Sequence, residues 1–231
     1  MSQPFQIAID GPVAAGKGTI SRLVAQRLDF LYVDTGAMYR VTAYLAVQNN
    51  TAFTDEDKLV ELIKKCKLEM RNPTEDERDG RLTTVILDGE DVSWKIRTEE
   101  VSAGSSKVAT LAQVRSVLVH KQQEIAAKTD VVMEGRDITY RVLPNAQLKI
   151  YLTAGDVVRA KRRHVQLQTR GEDITFQEVY RELLLRDQQD TERATDPLKI
   201  VPEAWEIDSS DLAIEQVIDM IVERAQIMRQ L

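Results

Sequence analysis

The chain has 231 residues, enough for one substantial domain or a domain carrying an insert. It is 43% hydrophobic and 29% charged, as an ordinary soluble globular protein is, and its net charge of −6 argues against nucleic acid or an anionic membrane surface as the main partner. No apolar run approaches the ~18 residues of a membrane span, and nothing at the start reads as a signal peptide. The single cysteine, Cys66, permits no intrachain disulfide and fits a reducing, cytoplasmic setting.

Phe5–Ile9 predicts the first strand. It runs into Gly11, Pro12, Val13, Ala14, Ala15, Gly16, Lys17, Gly18 and Thr19, and then into a helical pattern with Ile20, Leu23, Val24 and Leu28 on one face. Strand, glycine loop, Lys and helix in that order make a phosphate-binding loop. The glycines let backbone N–H groups approach phosphate oxygens, the helix presents its positive end, and Lys17 adds a mobile cation. A hydroxyl usually follows the Lys directly; here Gly18 intervenes and Thr19 carries it. That ending resembles the nucleoside monophosphate kinases.

Phe30–Val33 is the second predicted strand, leading into Asp34-Thr-Gly-Ala-Met-Tyr-Arg40 with Asp34 or Thr35 as helix cap. A further helix is expected from Thr54 to Cys66, burying Cys66. Residues 67–97 lose helical periodicity and read as a small antiparallel insert with strands at Leu68–Met70, Leu82–Leu87 and Asp91–Ile96. Trp94 is read as packing. Helical pattern then runs from Thr98 to about Lys128, with Ser105, Ser106 and Arg115 off its apolar stripe and so facing solvent or ligand. His120 reads as a solvated position, and no His or Cys pair has metal-ligand spacing.

Val131–Met133 is the third core strand and ends in Glu134-Gly-Arg-Asp137, an acid and an Arg–Asp pair where a strand meets the phosphate loop. Leu148–Leu152 is the fourth. Asp156 should cap a helix bearing Arg159, Lys161, Arg162 and Arg163, which continues to Arg170-Gly171. Such a run is usually a solvated face; beside a phosphate loop it suits a mobile lid. Thr175-Phe-Gln-Glu178 is a capping box, and Arg186, Asp190 and Arg193 share one face of the helix it starts. Ala204–Ile207 is the fifth strand, and a last amphipathic helix begins near Asp211. The reading is an α/β protein: a five-stranded, mostly parallel sheet with helices on both faces, a core of residues 1–66 and 98–231, a lid at about 156–175 and an insert at 67–97.

Four motifs now stand together: Gly11–Thr19, Asp34–Arg40, Gly135-Arg-Asp137, and Arg186-Asp-Gln-Gln-Asp190 with Arg193. In order and spacing they resemble the bacterial cytidylate (CMP) kinases over nearly the whole chain. The resemblance implies direct in-line transfer of the ATP γ-phosphoryl group to CMP or dCMP, with Mg²⁺ as cofactor and residues 67–97 as the acceptor-side insert. It implies ATP binding by Gly11 through Thr19, with Thr19 toward the metal, and catalytic cations at Lys17, Arg159, Arg163 and Arg186. It places Thr35, Tyr39 and Arg40 at the monophosphate, phosphate contacts at Arg115, Arg136 and Arg186, base reading at Ser106 and Asp190, and Asp137 and Arg193 on the nucleoside. A monomer acting on small nucleotides is expected, with neither nucleic acid nor membrane as partner. Two positions depart from the family pattern: Thr139 stands where a Gly is usual, and Glu134 where many relatives carry Asp. A kinase of another monophosphate, a switch ATPase and a nucleotide-binding scaffold are the competing readings.

Overall fold

A computed structural model describes residues 3–77, 79–169 and 171–230; Arg170, which the sequence reading put in the lid, lies outside them. Strand β1 (Gln6–Asp10) is the centre of a five-stranded sheet. Its partners are β2 (Leu31–Asp34), β6 (Val131–Gly135), β7 (Leu148–Thr153) and β8 (Trp205–Asp208), in the order β2-β6-β1-β7-β8. Every pairing is parallel. Both faces of a parallel sheet are covered by crossover helices, so its strands read as continuous apolar runs.

Side-chain alternation sorts those runs into two cores. Ala8, Val33, Val131 and Met133 face α2 (Thr35–Gln48), α3 (Glu56–Lys65), α4 (Glu99–Val108) and α5 (Ala112–Ala126). Ile7, Ile9, Tyr32, Val132 and Ile150 face α1 (Lys17–Leu28) and α8 (Ile214–Gln230). The helical hairpin of α6 (Asp156–Thr169) and α7 (Phe176–Glu192) stands at the carboxyl end of the sheet, with the expected capping box at Thr175 and Glu178. Cys66 is buried, as its place in the pattern requires.

Several elements differ from the sequence reading in detail. Helix α3 starts at Glu56, because Asp55 rather than Thr54 accepts from a first-turn amide, that of Lys58. The stretch 98–128 is two helices broken around Thr110 and Leu111, with Thr98 capping the first. The insert is the three-stranded sheet β3 (Leu68–Arg71), β4 (Thr84–Leu87) and β5 (Glu90–Asp91). Its last strand is only two residues long, since the Ser93 amide and hydroxyl both turn back to the Asp91 carboxylate and Lys95–Arg97 forms a 3₁₀ turn. Trp94 is 49% exposed and donates its indole N–H to Asp79 at 2.8 Å, so it is not the packing residue its type suggests. Asn72 fastens the start of the insert to the edge strand β2. Asn72 accepts from the Tyr32 amide at 2.9 Å and donates to the Phe30 carbonyl at 2.8 Å, which satisfies backbone groups an edge strand otherwise leaves open. Among the described residues no helix is long and apolar enough to cross a membrane.

Candidate active site

The phosphate loop follows β1 at the carboxyl end of the sheet, where open α/β folds bind ligands. A Cβ on Gly11 would lie 2.0 Å from the Leu152 carbonyl oxygen, so only glycine lets the chain leave β1 beside β7. Gly16, at φ +90°, is the N-cap of α1 and offers no side chain to its first amides. Those amides are left for an anion. Ala14 holds a left-handed φ of +58° without being glycine. The tip of the loop is gripped from the lid helices. Val13 donates to Asp187 at 3.1 Å, and the Val13 carbonyl accepts from Arg159 at 2.9 Å.

Arg159 is buried, and its other donors go to Asp187 at 2.6 Å, to Asp156 and to the Ala154 carbonyl. The structure therefore places Arg159 behind the loop with its donors committed, and Arg163 on the cleft side, where it also reaches Gln166 at 2.7 Å. Lys17 is buried and folds back to donate to the carbonyls of Gly11 (2.8 Å) and Pro12 (2.7 Å). Burial, and then the charge of Arg136, push its pKa down to about 7, against the pull of Glu134, Asp190 and Asp10.

A cluster of guanidinium groups faces the loop. Arg40 pairs with Asp34 at 2.6 Å and Arg136 with Asp190 at 2.6 Å. Arg186 is held below the usual arginine value by burial and by Arg136, Arg40 and Arg163, with Asp190 opposing. Four cations thus converge on one spot, offset in part by Asp34 and Asp190, an arrangement that suits an incoming anion. Arg97, at the end of the insert, lies 3.7 Å from the same Asp34 carboxylate and lines the cleft. The sequence reading missed Arg97, since its neighbours in the chain carry no motif. Asp34 is spoken for: besides Arg40 and Arg97, it caps α2 through the Ala37 amide.

Beyond the arginines lies a second polar end. Arg115, expected to face solvent or ligand, lines the cleft but is only 2% exposed, its guanidinium bonded to protein on every edge. It donates to Asp196 at 3.0 Å, to the Ala109 carbonyl at 3.1 Å and to Asp137, and sits 5.5 Å from the centre of the Tyr39 ring. Arg193 donates to the Asp196 carbonyl and lies 3.9 Å from Asp137. Burial raises the Asp137 pKa, with Arg115 and Arg193 opposing. Ser105 and Ser106 line the cleft from α4, whose closing residue Ala109 touches Arg115. The Thr35 hydroxyl donates to the Glu134 carbonyl at 2.8 Å.

Thr139, the departure from the usual glycine, has a visible role. Its amide and hydroxyl donate to buried Asp10 at 2.8 and 2.7 Å, and the Ile138 amide adds a third bond at 2.9 Å. The π-turn Ile138–Val142 that follows Asp137 is thereby fixed to the end of β1. Glu134 accepts from the Tyr32 hydroxyl at 3.2 Å, and burial together with Asp34 raises its pKa against Lys17.

Lys17, Glu134 and Asp137, together with Arg40, Arg136, Arg163, Arg186 and Arg193, line one cleft of about 1290 Å³. Its carboxyl-end position, its loop and its ring of cations define the class: a P-loop phosphotransferase with an α/β core. The cytidylate kinase family model matches residues 7–227, and the chain belongs to that family. The cytidylate kinase of Bacillus subtilis (strain 168) is 42% identical over 98% of this chain and 98% of its own. Those of Geobacillus sp. (strain WCH70) and Caldicellulosiruptor bescii are each 44% identical, over 96% and 95% of this chain and 97% and 94% of their own.

Proposed function

We propose that the protein transfers the γ-phosphoryl group of ATP to CMP or dCMP within this single cleft, as a monomer in the cytoplasm. The observation that carries the reading is the order of groups along the cleft: phosphate loop, converging arginines, then buried acid–arginine pairs. In this reading the α1 amides and Lys17 hold the donor phosphates, and Lys17 leaves the Gly11 and Pro12 carbonyls to do so. Arg40, Arg136, Arg163 and Arg186 neutralise the acceptor phosphate and the charge that spreads over the transferring group. Arg159 acts behind the loop, holding Val13 in place. Thr35 and Tyr39 shape the monophosphate site, and residues 67–97, through Leu82 and Arg97, close the acceptor side.

The donor set fits Mg²⁺. Thr19 lines the cleft, Glu134 lies beside Gly18, and no cluster of three acidic or His/Cys side chains forms a dedicated cage among the described residues. A cation that binds mainly through phosphates and water needs no more than this. When bound it screens the donor phosphates; Thr19 would hold it, with Glu134 reaching it through water.

The base-reading assignment moves with the geometry. Asp190 pairs with Arg136 and acts on Lys17, toward the phosphate loop; Asp137 pairs with Arg115, which reaches the Ala109 carbonyl at the end of α4 that carries Ser106. We therefore assign the cytosine edge to Ser106 and Asp137, with Arg115, which lines the cleft, orienting Asp137, and Asp190 to the sugar and phosphate side. A carboxylate suits the exocyclic amine and opposes the carbonyl of uracil. The test is ADP release with Mg-ATP and one monophosphate at a time. Stimulation by CMP and dCMP far above UMP, AMP and GMP is expected. A different preferred acceptor would discard the base assignment, and no stimulation at all would discard the kinase reading.

A further inference from the structure

Between α7 and β8 the chain crosses the nucleoside end of the cleft without regular structure. This strap, residues 193–200, carries Arg193 and Asp196, and Asp196 sits at a left-handed φ of +48°. One end is tied by the Leu198 amide, which donates to the Asp190 carbonyl at 2.7 Å, and by the buried Leu198 side chain. The middle is tied by Tyr140. Its hydroxyl donates to the Pro197 carbonyl at 2.6 Å, and Lys199 lies 4.1 Å from its ring centre. Arg141, the next residue, reaches Asp196 at 3.6 Å.

Tyr140 belongs to the π-turn that Asp10 fixes to β1, three residues after Asp137. Its hydroxyl therefore joins the Arg115–Asp196 pair in setting the distance between two segments that each supply half of the nucleoside end. Asp137 and Arg115 come from one side, and Arg193 and Asp196 from the other. A single hydrogen bond of this kind decides placement more than stability, because Leu198 and Val201 still anchor the strap in the core.

We propose that Tyr140 is a positioning residue for the acceptor nucleoside, acting through Arg193 and Asp196 and never touching the nucleotide. The inference rests on the reading that the nucleoside lies at Asp137 and Arg193. The Tyr140→Phe variant keeps the ring and its contact with Lys199 and loses only the bond to Pro197. We expect its KM for CMP to rise about fivefold as Arg193 and Asp196 lose their placement, while kcat and KM for ATP stay near those of the parent and Tm falls by no more than the few degrees one lost hydrogen bond costs. In an Arg193→Ala background the same change should add nothing further to KM for CMP, as residues acting in one chain are non-additive.

Two results separate the failures. If Arg193→Ala leaves KM for CMP unchanged, the nucleoside reading fails and this proposal with it. If Arg193→Ala raises KM for CMP and Tyr140→Phe does not, or if Tyr140→Phe raises both KM values alike, the positioning role alone is overturned.

Discussion

Lys17 does two things in the empty enzyme: it closes its own loop and it strains the electrostatics of the site. An ammonium that titrates at about 7 when folded and near 10.5 when unfolded binds its proton more weakly in the native state. The cost is therefore full below about pH 7 and is relieved as pH rises from there toward 10.5. The Lys17→Met variant should gain thermal stability over the parent at pH 7 and lose most of that advantage by pH 9.5, as read from paired melting curves. Its kcat should fall at least ~10²-fold, the scale of a lost electrostatic stabiliser; near-normal turnover in the folded variant would remove Lys17 from the chemistry. The two acids are separable in the same way. Asp137→Ala should collapse the ratio of kcat/KM for CMP over UMP, whereas Asp190→Ala should weaken both acceptors and leave the ratio standing. The reverse outcome restores Asp190 as the base reader. At this scale the sequence named the residues and not their partners. Arg115, Arg159 and Asp190 were visible as charges on helices, but which acid each arginine meets depends on chain segments up to 81 residues apart, as for Arg115 and Asp196.

The elements that carry the site were more legible, because their signals are local. The phosphate loop is legible as strand, glycines, Lys and helix, and its first glycine has a testable reason to be there. Gly11→Ala sets a Cβ against a backbone carbonyl of β7 that cannot move without breaking the sheet, so it should destabilise the fold by about 3 kcal/mol or more. Chemical denaturation of the variant measures this directly. The five core strands were likewise readable from apolar runs, whereas the third strand of the insert was not. Trp94 and Ile96 have strand-like character, but the Ser93–Asp91 turn takes the backbone first. The basic helix α6 was the least decodable element. Its cations look equivalent in sequence, yet Arg159 points under the loop and Arg163 into the cleft. Arg159→Ala should therefore lower Tm and raise KM for ATP, and Arg163→Ala should lower kcat with Tm unchanged. Equal kinetic profiles for the two would mean that both act on the transferring group.

On the scale of the whole molecule, the decisive feature is that donor and acceptor ends share one space. A cleft of about 1290 Å³ exceeds the ~300–1,000 Å³ typical of a single small-ligand pocket, so it has room for two nucleotides at once. It also lacks a candidate for a phosphorylated intermediate on His or Cys among the described residues. His120 is an exposed residue of α5 paired with Glu124, His164 bonds the Ile174 carbonyl, and Cys66 is buried among the α2–α5 side of the core. One space with room for both nucleotides, and no His or Cys lining it among the described residues, favours a ternary complex before transfer. Initial-rate plots at several fixed CMP concentrations should therefore intersect. A linker joining cytidine and adenosine through a polyphosphate should compete with both substrates and bind more tightly than either, since it fills both ends and concentrates its charge on Arg40, Arg136, Arg163 and Arg186. Parallel plots, or label retained on the protein after incubation with γ-labelled ATP alone, would instead demand a covalent step, and the single cleft would have to be re-read as two successive sites.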